Sequence, residues 1–379
     1  MPGRRGEGRH AKAWIEGVAC SLDAAVEAAL ARLRESRHPL FAGLGCDMDG
    51  TRSLVRLARR VGASIDHLSS TATGLELAVA RDMGSFFTTP GEAVARADTL
   101  LVLGSALDGT GTELLDRVFE TAPKLAARGA PRRVIWVGRP LKGKARSSRL
   151  EITSLQVPAS QIATLLAALR ARLAGRPVGK ASISASRLQA VVEKLREAQF
   201  GVAIWCSPPQ EVLAIEALTG LVRDLNGHTR FSCVPVCAAD NAAGVAMALT
   251  WLTGFPSNID FSQGQPEHDP WRFDAARLAR SGEADLALWV SAYRDHWPDW
   301  ADEVPMIALT SRSDGARRPH ALVQIAVGTP GVDHDTVDYS SASGHLAFRR
   351  ATARETIPSV AAVVDRFCAA LIEPGKALR

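Results

Sequence analysis

Cysteine and histidine are the residue types best able to bind metal ions or act as nucleophiles, and this chain scatters both along its 379 residues. The histidines form neither H-x-x-x-H nor H-E-x-x-H, so no sequence-local zinc site is predicted. The cysteines form no C-x-x-C pair, and their scatter in a long chain favours reduced thiols in a cytoplasm over a disulfide framework. The cysteines are Cys20, Cys46, Cys206, Cys233, Cys237 and Cys368, and the histidines are His10, His38, His67, His228, His268, His296, His320, His334 and His345.

Two short segments retain the residue types of a catalytic site. Asp333-His334-Asp335 could polarise a water molecule, because a neighbouring carboxylate fixes the tautomer of a histidine, but a surface turn is the simpler interpretation. Cys233 and Cys237 flank Pro235 and would act as nucleophiles only beside a base. We therefore interpret both cysteines as buried structural thiols.

Glycine-rich segments give weak signals for phosphate or calcium. Gly43-Leu44-Gly45 precedes a helix, but the next glycine is Gly50, so the spacing departs from the dinucleotide fingerprint. The helix N-terminus there would still attract a phosphate. Residues 175–181 resemble a P-loop whose glycines stand too close together and whose Lys180 is followed by no hydroxyl. Residues 47–50 resemble a calcium loop without its bidentate glutamate. We predict no site in either of the last two segments.

The composition excludes several classes of protein. Hydrophobic residues make up 46% of the chain and charged residues 22%, which is typical of globular domains and excludes large-scale disorder. No apolar stretch reaches the roughly 18–20 residues that a membrane helix needs. Residues 1–12 predict a basic tail rather than a secretory signal, because no apolar segment follows them. The net charge of +5 is modest and no nucleic-acid-binding motif is present, so no nucleic-acid partner is expected.

A basic segment spans residues 139–149. A solvated loop is the simpler interpretation, and the alternative is a patch that faces an anionic ligand or a partner subunit. Its charged residues are Arg139, Lys142, Lys144, Arg146 and Arg149.

Strand-like and helix-like runs alternate along the chain, which predicts an α/β protein with mainly parallel sheets covered by helices on both faces. The predicted strands cover residues 40–44, 99–103, 134–137, 152–157, 202–206, 286–290, 305–309 and 322–327, and the main predicted helices cover residues 51–61, 112–127 and 210–225.

The two halves share local sequence features. Ala97-Asp98 precedes one predicted strand and Ala284-Asp285 precedes another, which indicates two related doubly wound units, with simple reuse of a common strand pattern as the alternative. The segment rich in glycine, serine and lysine at residues 174–186 predicts a linker. The predicted organisation is a basic tail over 1–13, a first α/β unit over 14–173, the linker over 174–186 and a second α/β unit over 187–379.

The most distinctive segment runs from Asp240-Asn241-Ala242-Ala243-Gly244 to Thr250-Trp251-Leu252-Thr253-Gly254-Phe255-Pro256. Its small residues allow close backbone approach and predict a tightly packed helix and turn. Together with Asp260-Phe261-Ser262-Gln263-Gly264, Leu221-Val222-Arg223-Asp224-Leu225-Asn226 and Cys20-Ser21-Leu22-Asp23-Ala24, it resembles the B subunit of formylmethanofuran dehydrogenase. The resemblance covers most of the chain after about residue 14.

That family belongs to the molybdopterin and tungstopterin oxidoreductases. The resemblance implies a fold of doubly wound α/β units of that type. It also implies, for the family, a bis-pterin guanine dinucleotide cofactor with tungsten or molybdenum and a four-iron four-sulfur cluster.

The chain departs from the family pattern at three places. The region before Trp14, which would hold the cluster ligands, contains no cysteine. Ala72 and Thr73 stand where the family places its metal-binding cysteine or selenocysteine and the histidine that follows it. Alanine has no donor atom, and a threonine hydroxyl does not take up a proton near pH 7. Cys237 stands where the family has an arginine. We therefore predict no catalytic, cofactor-binding or metal-binding residue in this chain and expect the family cofactors to be absent.

These departures match a related bacterial assembly, the formyltransferase/hydrolase complex. The resemblance implies a non-catalytic structural subunit of a complex that moves a formyl group from tetrahydromethanopterin to a methanofuran-like carrier and releases formate. The implied partners in a cytoplasmic hetero-oligomer are an amidohydrolase-like hydrolase, a formyltransferase and a glutamate-synthase-like subunit. The alternatives are an active molybdenum- or tungsten-dependent dehydrogenase subunit and a binding module for an anionic carrier tail.

Overall fold

The computed structural model describes residues 13–104, 112–124, 129–139, 149–206, 212–236, 239–311, 321–353 and 357–371. The strands are β1 (Ala13–Ile15), β2 (Val18–Cys20), β3 (Pro39–Gly45), β4 (Ser64–His67), β5 (Thr99–Leu103), β6 (Arg132–Val137), β7 (Leu150–Leu155), β8 (Gly201–Trp205), β9 (Phe231–Pro235), β10 (Ile259–Asp260), β11 (Glu267–His268), β12 (Leu286–Ser291), β13 (Met306–Ser311), β14 (Ala321–Val327), β15 (Thr336–Ser340) and β16 (His345–Arg349). The helices are α1 (Leu22–Glu35), α2 (Met48–Val61), α3 (Ser70–Met83), α4 (Pro90–Arg96), α5 (Thr112–Glu120), α6 (Ile162–Leu173), α7 (Ala185–Arg196), α8 (Val212–Leu225), α9 (Ala242–Thr253), α10 (Ala275–Arg280) and α11 (Val360–Ala370), with a short 3-10 helix at Ala159–Gln161.

The chain divides into two compact units, and neither is continuous in sequence. Unit 1 comprises Met1–Ser70, Ala239–Tyr339 and Leu346–Arg379, and unit 2 comprises Thr71–Ala238 and Ser340–His345. Unit 2 is thus an insertion into unit 1.

Unit 1 is built on a nine-stranded sheet in the order β11-β10-β4-β3-β12-β13-β14-β1-β2. The five central strands, β4 to β14 in this order, are parallel, whereas the short strands at both edges pair antiparallel. Helices α1, α2, α9 and α11 contribute apolar residues to one buried cluster with the sheet. Helix α10 forms a second apolar cluster with β3, β12 and Trp300. The strands read as near-continuous apolar runs because helices cover a parallel sheet on both faces.

Helix α2 shows how the sequence specifies one of these elements. Its buried residues include Leu54, Leu57 and Ala58, whose helical spacing aligns them on one face. Asp47 caps the N-terminus by accepting a hydrogen bond from the Gly50 amide at 2.8 Å. Gly62 adopts φ +67° and ends the helix, a conformation that glycine adopts without steric cost.

Unit 2 is built on a fully parallel five-stranded sheet in the order β7-β6-β5-β8-β9. Its apolar core lies on both sides of this sheet, with α6, α7 and α8 in one cluster and α4 and α5 in another. Arg132, which is 1% exposed in β6, donates hydrogen bonds to the carbonyls of Val118 and Val94. Burial lowers its pKa to about 10.

The shared Ala-Asp feature has the same structural role in both units. The Asp98 carboxylate accepts from the amides of Gln199 and Phe200, which directly precede β8. The Asp285 carboxylate accepts from the amides of Arg37 and His38, which directly precede β3. In each case an aspartate before one strand fixes the entry into its neighbour. This equivalence supports the interpretation that the two units are related.

The predicted fold class is confirmed, and each predicted strand corresponds to an observed one within two residues at each end. The predicted division of the chain differs from the observed one. Residues 174–186 lie between α6 and α7 inside unit 2. A local glycine- and serine-rich composition identifies a loop, but it does not report that the last part of the chain returns to the sheet of the first part. In the part of the chain that is described, no helix is long and apolar enough to cross a membrane.

Candidate functional site

The central crevice of unit 1 lies at the carboxyl ends of β3 and β12. From β3 the chain proceeds to β4 on one side, and from β12 it proceeds to β13 and β14 on the other. This reversal is the topological switch point at which doubly wound sheets bind nucleotides and other ligands. It is therefore the position in unit 1 at which a cofactor of the implied kind is expected.

The chain is conformationally restricted where β3 ends. Gly43 has φ +82°, and a β-carbon added there would lie 2.6 Å from the Val290 carbonyl oxygen. The next residue, Leu44, is fully buried and has φ +51°, which is rare for a branched side chain. Asp47 then occupies the N-terminus of α2 with its own carboxylate and is 4% exposed. That carboxylate takes the place that a phosphate would need, so the expectation of phosphate binding at this helix is not supported.

The segment that the sequence singles out lies directly over this strand end. Asp240 and Asn241 have φ values of +61° and +60°. The Asn241 amide donates to the Cys46 carbonyl at 2.9 Å, and its carbonyl oxygen accepts from the Tyr339 amide at 2.8 Å. Asparagine tolerates this left-handed conformation better than other residues with a β-carbon. One side chain thus joins the end of β3 to β15.

A buried histidine and an ion pair complete the same region. His67, 4% exposed, accepts a hydrogen bond from the Ser69 amide at Nδ1, and its Nε2 lies 3.3 Å from the Asp240 carbonyl oxygen. This geometry requires the neutral tautomer with its proton on Nε2. Burial, with a smaller contribution from the nearby Arg294, lowers the pKa of His67 to about 4. The Arg294 guanidinium lies 2.5 Å from the buried Asp240 carboxylate.

His67 is expected to make unit 1 less stable in mild acid. The unfolded histidine binds a proton near pH 6.5, whereas the folded one does so only near pH 4, so stability is lost as the pH falls through this window. Between pH 7 and pH 5 the wild type should lose about 2 kcal/mol more free energy of unfolding than His67→Gln. Urea denaturation of both proteins at the two pH values measures this difference.

Two other buried groups also titrate in this pH range, but they are present in both the wild type and His67→Gln. Burial raises the pKa of Asp66 and of Glu76 to about 7, so both carboxyls stabilise the fold more in acid than at neutral pH, opposite to His67. Their effects cancel between wild type and variant. Parallel pH profiles for the two proteins would contradict the assignment of a neutral buried imidazole.

A second group of polar side chains lies beside the N-terminus of α2. His334 Nε2 is 3.4 Å from the Asp47 carboxylate, and the Thr336 hydroxyl is 3.3 Å from the same carboxylate. Tyr293 donates to Asp338 at 3.2 Å, and Arg349 donates to the same carboxylate through Nε at 3.1 Å. Burial and nearby acidic groups raise the pKa of Tyr293 above its usual range. The tyrosine therefore stays protonated and serves as a hydrogen-bond donor.

The residues at the implied metal-ligand position lie at the start of α3. Ala72 and Thr73 are half-buried in its first turn. One turn later, the Glu76 carboxylate accepts a hydrogen bond from the Trp205 indole at 2.8 Å. Burial raises the pKa of Glu76 to about 7 and the pKa of the buried Cys233 thiol to about 12. A thiol with so high a pKa is a poor nucleophile.

The corresponding crevice of unit 2 begins after β5 and β8. Gly104 directly follows β5, and a β-carbon there would lie 2.1 Å from the Trp136 indole. The indole nitrogen donates to the Arg139 carbonyl at 2.5 Å. The Trp136 side chain thus packs against the strand end. The rest of this crevice lies outside the described residues, which stop at 104 and at 206.

The candidate residues that the sequence singles out lie in different parts of the structure. Asp333 ends a turn and is buried, where it accepts from the Thr329 amide, whereas Asp335 is exposed. The carboxylate that faces His334 is Asp47, not either sequence neighbour. Cys233 is buried, as expected, whereas Cys237 and residues 140–148 of the basic segment lie outside the described residues. Sequence reasoning missed His67, Glu76 and Arg294, because their partners are distant in the chain.

The described residues contain no group of three or more histidine, cysteine, aspartate or glutamate side chains that could hold a metal ion. At the implied ligand position, Ala72 supplies no donor atom. In unit 1 the crevice is spanned by Asn241 and faced by the Asp47 carboxylate, which would repel a nucleotide phosphate. At the implied position the described residues therefore supply no side-chain ligand for the metal that the resemblance implies for its family.

Fold and site together define a class: a doubly wound α/β protein of two units, with the unit 1 crevice bridged by the Asn241 side chain. No family model matches the chain. It is 34% identical over 372 residues to the B subunit of the formyltransferase/hydrolase complex Fhc of Methylorubrum extorquens, covering 96% of this chain and 99% of that one. It is 30% identical over 301 residues to the B subunit of the tungsten-containing formylmethanofuran dehydrogenase 2 of Methanocaldococcus jannaschii, covering 76% and 69%.

A solved structure agrees with these relatives. The chain superposes with a TM-score of 0.83 and 34% identity on a chain of the crystal structure of the formyltransferase/hydrolase complex FhcABCD from Methylorubrum extorquens in complex with methylofuran, covering 96% of this chain and 99% of that one. The chain belongs to the family formed by the B subunits of Fhc and of formylmethanofuran dehydrogenase, and the resemblance seen in the sequence is confirmed.

Proposed function

We propose that this chain is the B subunit of a cytoplasmic formyltransferase/hydrolase complex and that it contributes structure rather than redox chemistry. The complex would move a formyl group from tetrahydromethanopterin to a methanofuran-like carrier and release formate. The relative from Methylorubrum extorquens belongs to a complex of that name, and its alignment leaves almost none of either chain unmatched. A hetero-oligomeric state follows from the same relationship.

The observation that carries the structural role is the missing donor atom in the first turn of α3, where Ala72 stands at the metal-ligand position that the resemblance implies. Asn241 uses both halves of its amide to bind backbone groups of β15 and of the segment after β3. In unit 1, a cofactor that entered the crevice beside Asn241 would have to break both hydrogen bonds and separate the buried Asp240 carboxylate from the exposed Arg294 guanidinium. Leaving the buried partners in these interactions unsatisfied would cost on the order of 1–3 kcal/mol for each group.

The partners are named by the family resemblance. They are an amidohydrolase-like hydrolase, a formyltransferase and a glutamate-synthase-like subunit. A member of such an assembly would present surfaces that become buried only in the complex, and stable obligate interfaces bury on the order of 2,000 Å² or more. Co-purification of these three chains at a fixed stoichiometry tests the partner assignment.

Elemental analysis tests the loss of redox chemistry. The natively purified complex is expected to contain molybdenum, tungsten and iron at far below one atom per copy of this chain, because residues 1–13 contain no cysteine and Ala72 has no donor atom. The same preparation should release formate from its formylated carrier but should not oxidise that carrier with an artificial electron acceptor.

Two outcomes would contradict the proposal. Stoichiometric tungsten or molybdenum, together with oxidation of the formylated carrier, would identify an active dehydrogenase subunit. Full formate release by a complex that lacks this chain would remove the structural role. The alternative of a binding module for an anionic tail depends on Lys142, Lys144 and Arg146, which lie outside the described residues, so the structure adds nothing to it.

A further inference from the structure

Helix α9 carries no charged residue over its 12 positions, although only one side of it is buried. Its inner face places Gly244, Val245, Ala248 and Leu249 against the core of unit 1. A surface helix normally carries charged or polar residues on its outer face, and a helix that is apolar all round is normally buried. The composition of α9 thus matches a helix that is covered on both sides.

The outer face of α9 exposes large apolar side chains. Trp251 is 62% exposed and Met247 is 36% exposed, and Leu252 beside them is 37% exposed. Ala243, Ala246 and Thr250 lie on the same side of the helix. Their short side chains leave shallow depressions between the larger residues. We call this surface the α9 face. A helix face of small residues from which one aromatic and one methionine side chain project is suited to docking into an apolar groove.

Helix α2 packs beside α9 and carries Arg59 at the border of the α9 face. Two other exposed arginines of α2 are already paired with carboxylates, Arg52 with Asp49 at 2.9 Å and Arg56 with Asp365 at 2.7 Å. Arg59 donates to the Leu252 carbonyl at 2.6 Å and lies over the Phe261 ring. Within the described residues, no carboxylate lies within ion-pair distance of Arg59. The border of the α9 face therefore carries one positive charge, on Arg59, with no ion-pair partner among the described residues.

These features distinguish the kinds of partner. In a two-fold pairing of this face with its copy, Arg59 would meet no carboxylate on α9, because that helix carries no charged residue. A groove with acidic residues along one edge would accept Trp251 and Met247 and also neutralise Arg59.

We propose that the α9 face is a docking surface for another protein subunit of the complex, which presents an apolar groove with carboxylates along one edge. This inference rests on the proposed function, because it requires a hetero-oligomer. Exposed tryptophan at the centre of an interface is a frequent hot spot, since its removal typically costs about 2 kcal/mol or more. The Trp251 side chain is accordingly the main anchor.

Photo-cross-linking tests the position of this surface. Benzoylphenylalanine replaces Trp251 in the full chain, which is co-expressed with its three partner subunits and irradiated as the purified complex. The expected result is a covalent adduct between this chain and one partner, located by mass spectrometry. Benzoylphenylalanine at Trp271 is the control, since this residue is similarly exposed, at 71%, but one face of its ring carries the Arg277 guanidinium 4.8 Å from the ring centroid, and it lies outside the α9 face.

Affinity measurements test how much the Trp251 side chain and the Arg59 charge contribute to binding. Trp251→Ala should weaken binding to the cross-linked partner by about 30-fold or more, whereas Trp271→Ala should change it less than about threefold. Arg59→Gln, which removes the positive charge, should weaken binding and reduce its dependence on salt. Unchanged thermal unfolding of each variant shows that the fold is retained.

The outcomes separate the two proposals. If the wild type assembles but residue 251 forms no adduct and Trp251→Ala binds normally, the docking surface is wrong and the proposed function stands. An adduct with a second copy, with the chain's own terminal segments or with anionic lipid vesicles would likewise overturn the docking surface. If the wild type does not assemble with the three partner subunits, the proposed function fails, and the inference fails with it.

Discussion

Replacement of Gly201 by alanine is expected to destabilise unit 2 by about 3 kcal/mol. Gly201 begins β8 and pairs with Phe231 on β9. A β-carbon at Gly201 would lie 2.1 Å from the Phe231 ring, which is 1% exposed and fixed in the core. The ring covers the glycine from the neighbouring strand, so the new methyl group must displace it. Hydrogen exchange of the β8 and β9 amides should accelerate by roughly 100-fold.

A matched substitution isolates the steric effect. Gly179 also lacks a side chain, but a β-carbon there would meet no atom within 4 Å and its φ is not positive. Gly179→Ala should change the free energy of unfolding by less than about 0.5 kcal/mol. Adding Phe231→Leu to Gly201→Ala should recover part of the lost stability, because leucine lacks the edge of the ring that the methyl group meets. Equal exchange rates in Gly201→Ala and wild type would contradict the packing described here.

Replacement of Asn241 by alanine is expected to destabilise unit 1 by about 3 kcal/mol. The substitution removes a hydrogen bond to the Cys46 carbonyl and one from the Tyr339 amide, each worth about 1 kcal/mol. It also places alanine at φ +60°, where its β-carbon is strained by about 1 kcal/mol. Urea denaturation at pH 7 measures the loss, and hydrogen exchange of the β15 amides locates it in unit 1.

Two further variants separate strain from bonding at this position. Asn241→Gly also removes both hydrogen bonds but tolerates the positive φ, so it should be more stable than Asn241→Ala by about 1 kcal/mol. Gly244→Ala leaves Asn241 in place, yet its β-carbon would lie 2.2 Å from the Asn241 amide oxygen and should displace that side chain. If Gly244→Ala matched wild type in stability, the bridge would not contribute to the fold as we describe.

The same variants bear on the proposed function. Removal of the Asn241 side chain by Asn241→Gly should not by itself confer metal or nucleotide binding, because Ala72 still lacks a donor atom and the Asp47 carboxylate remains. Function in this family member would then depend on the integrity of unit 1 as a support for partner subunits. Loss of assembly in proportion to loss of unit 1 stability is the expected pattern.

The alternation of strand and helix was readable from the sequence because its physical cause is local. Each buried parallel strand is a short apolar run, and each covering helix repeats its apolar residues at helical spacing, as in Leu54, Leu57 and Ala58. The equivalent positions of Asp98 and Asp285 could be recognised in the sequence for the same reason. The family resemblance and the missing donor atom at Ala72 also required only residue identities.

Tertiary structure alone decided which distant groups meet. Asn241 binds residues 195 positions before it and 98 positions after it, and the carboxylate facing His334 comes from Asp47. The pKa of Glu76 depends on burial beside Trp205, which no local pattern reports. The unit boundary is equally non-local, because the chain returns to the sheet of its first 70 residues after building unit 2. Periodicity determines how a segment folds, but hydrogen-bond partners and desolvation depend on where the whole chain brings that segment.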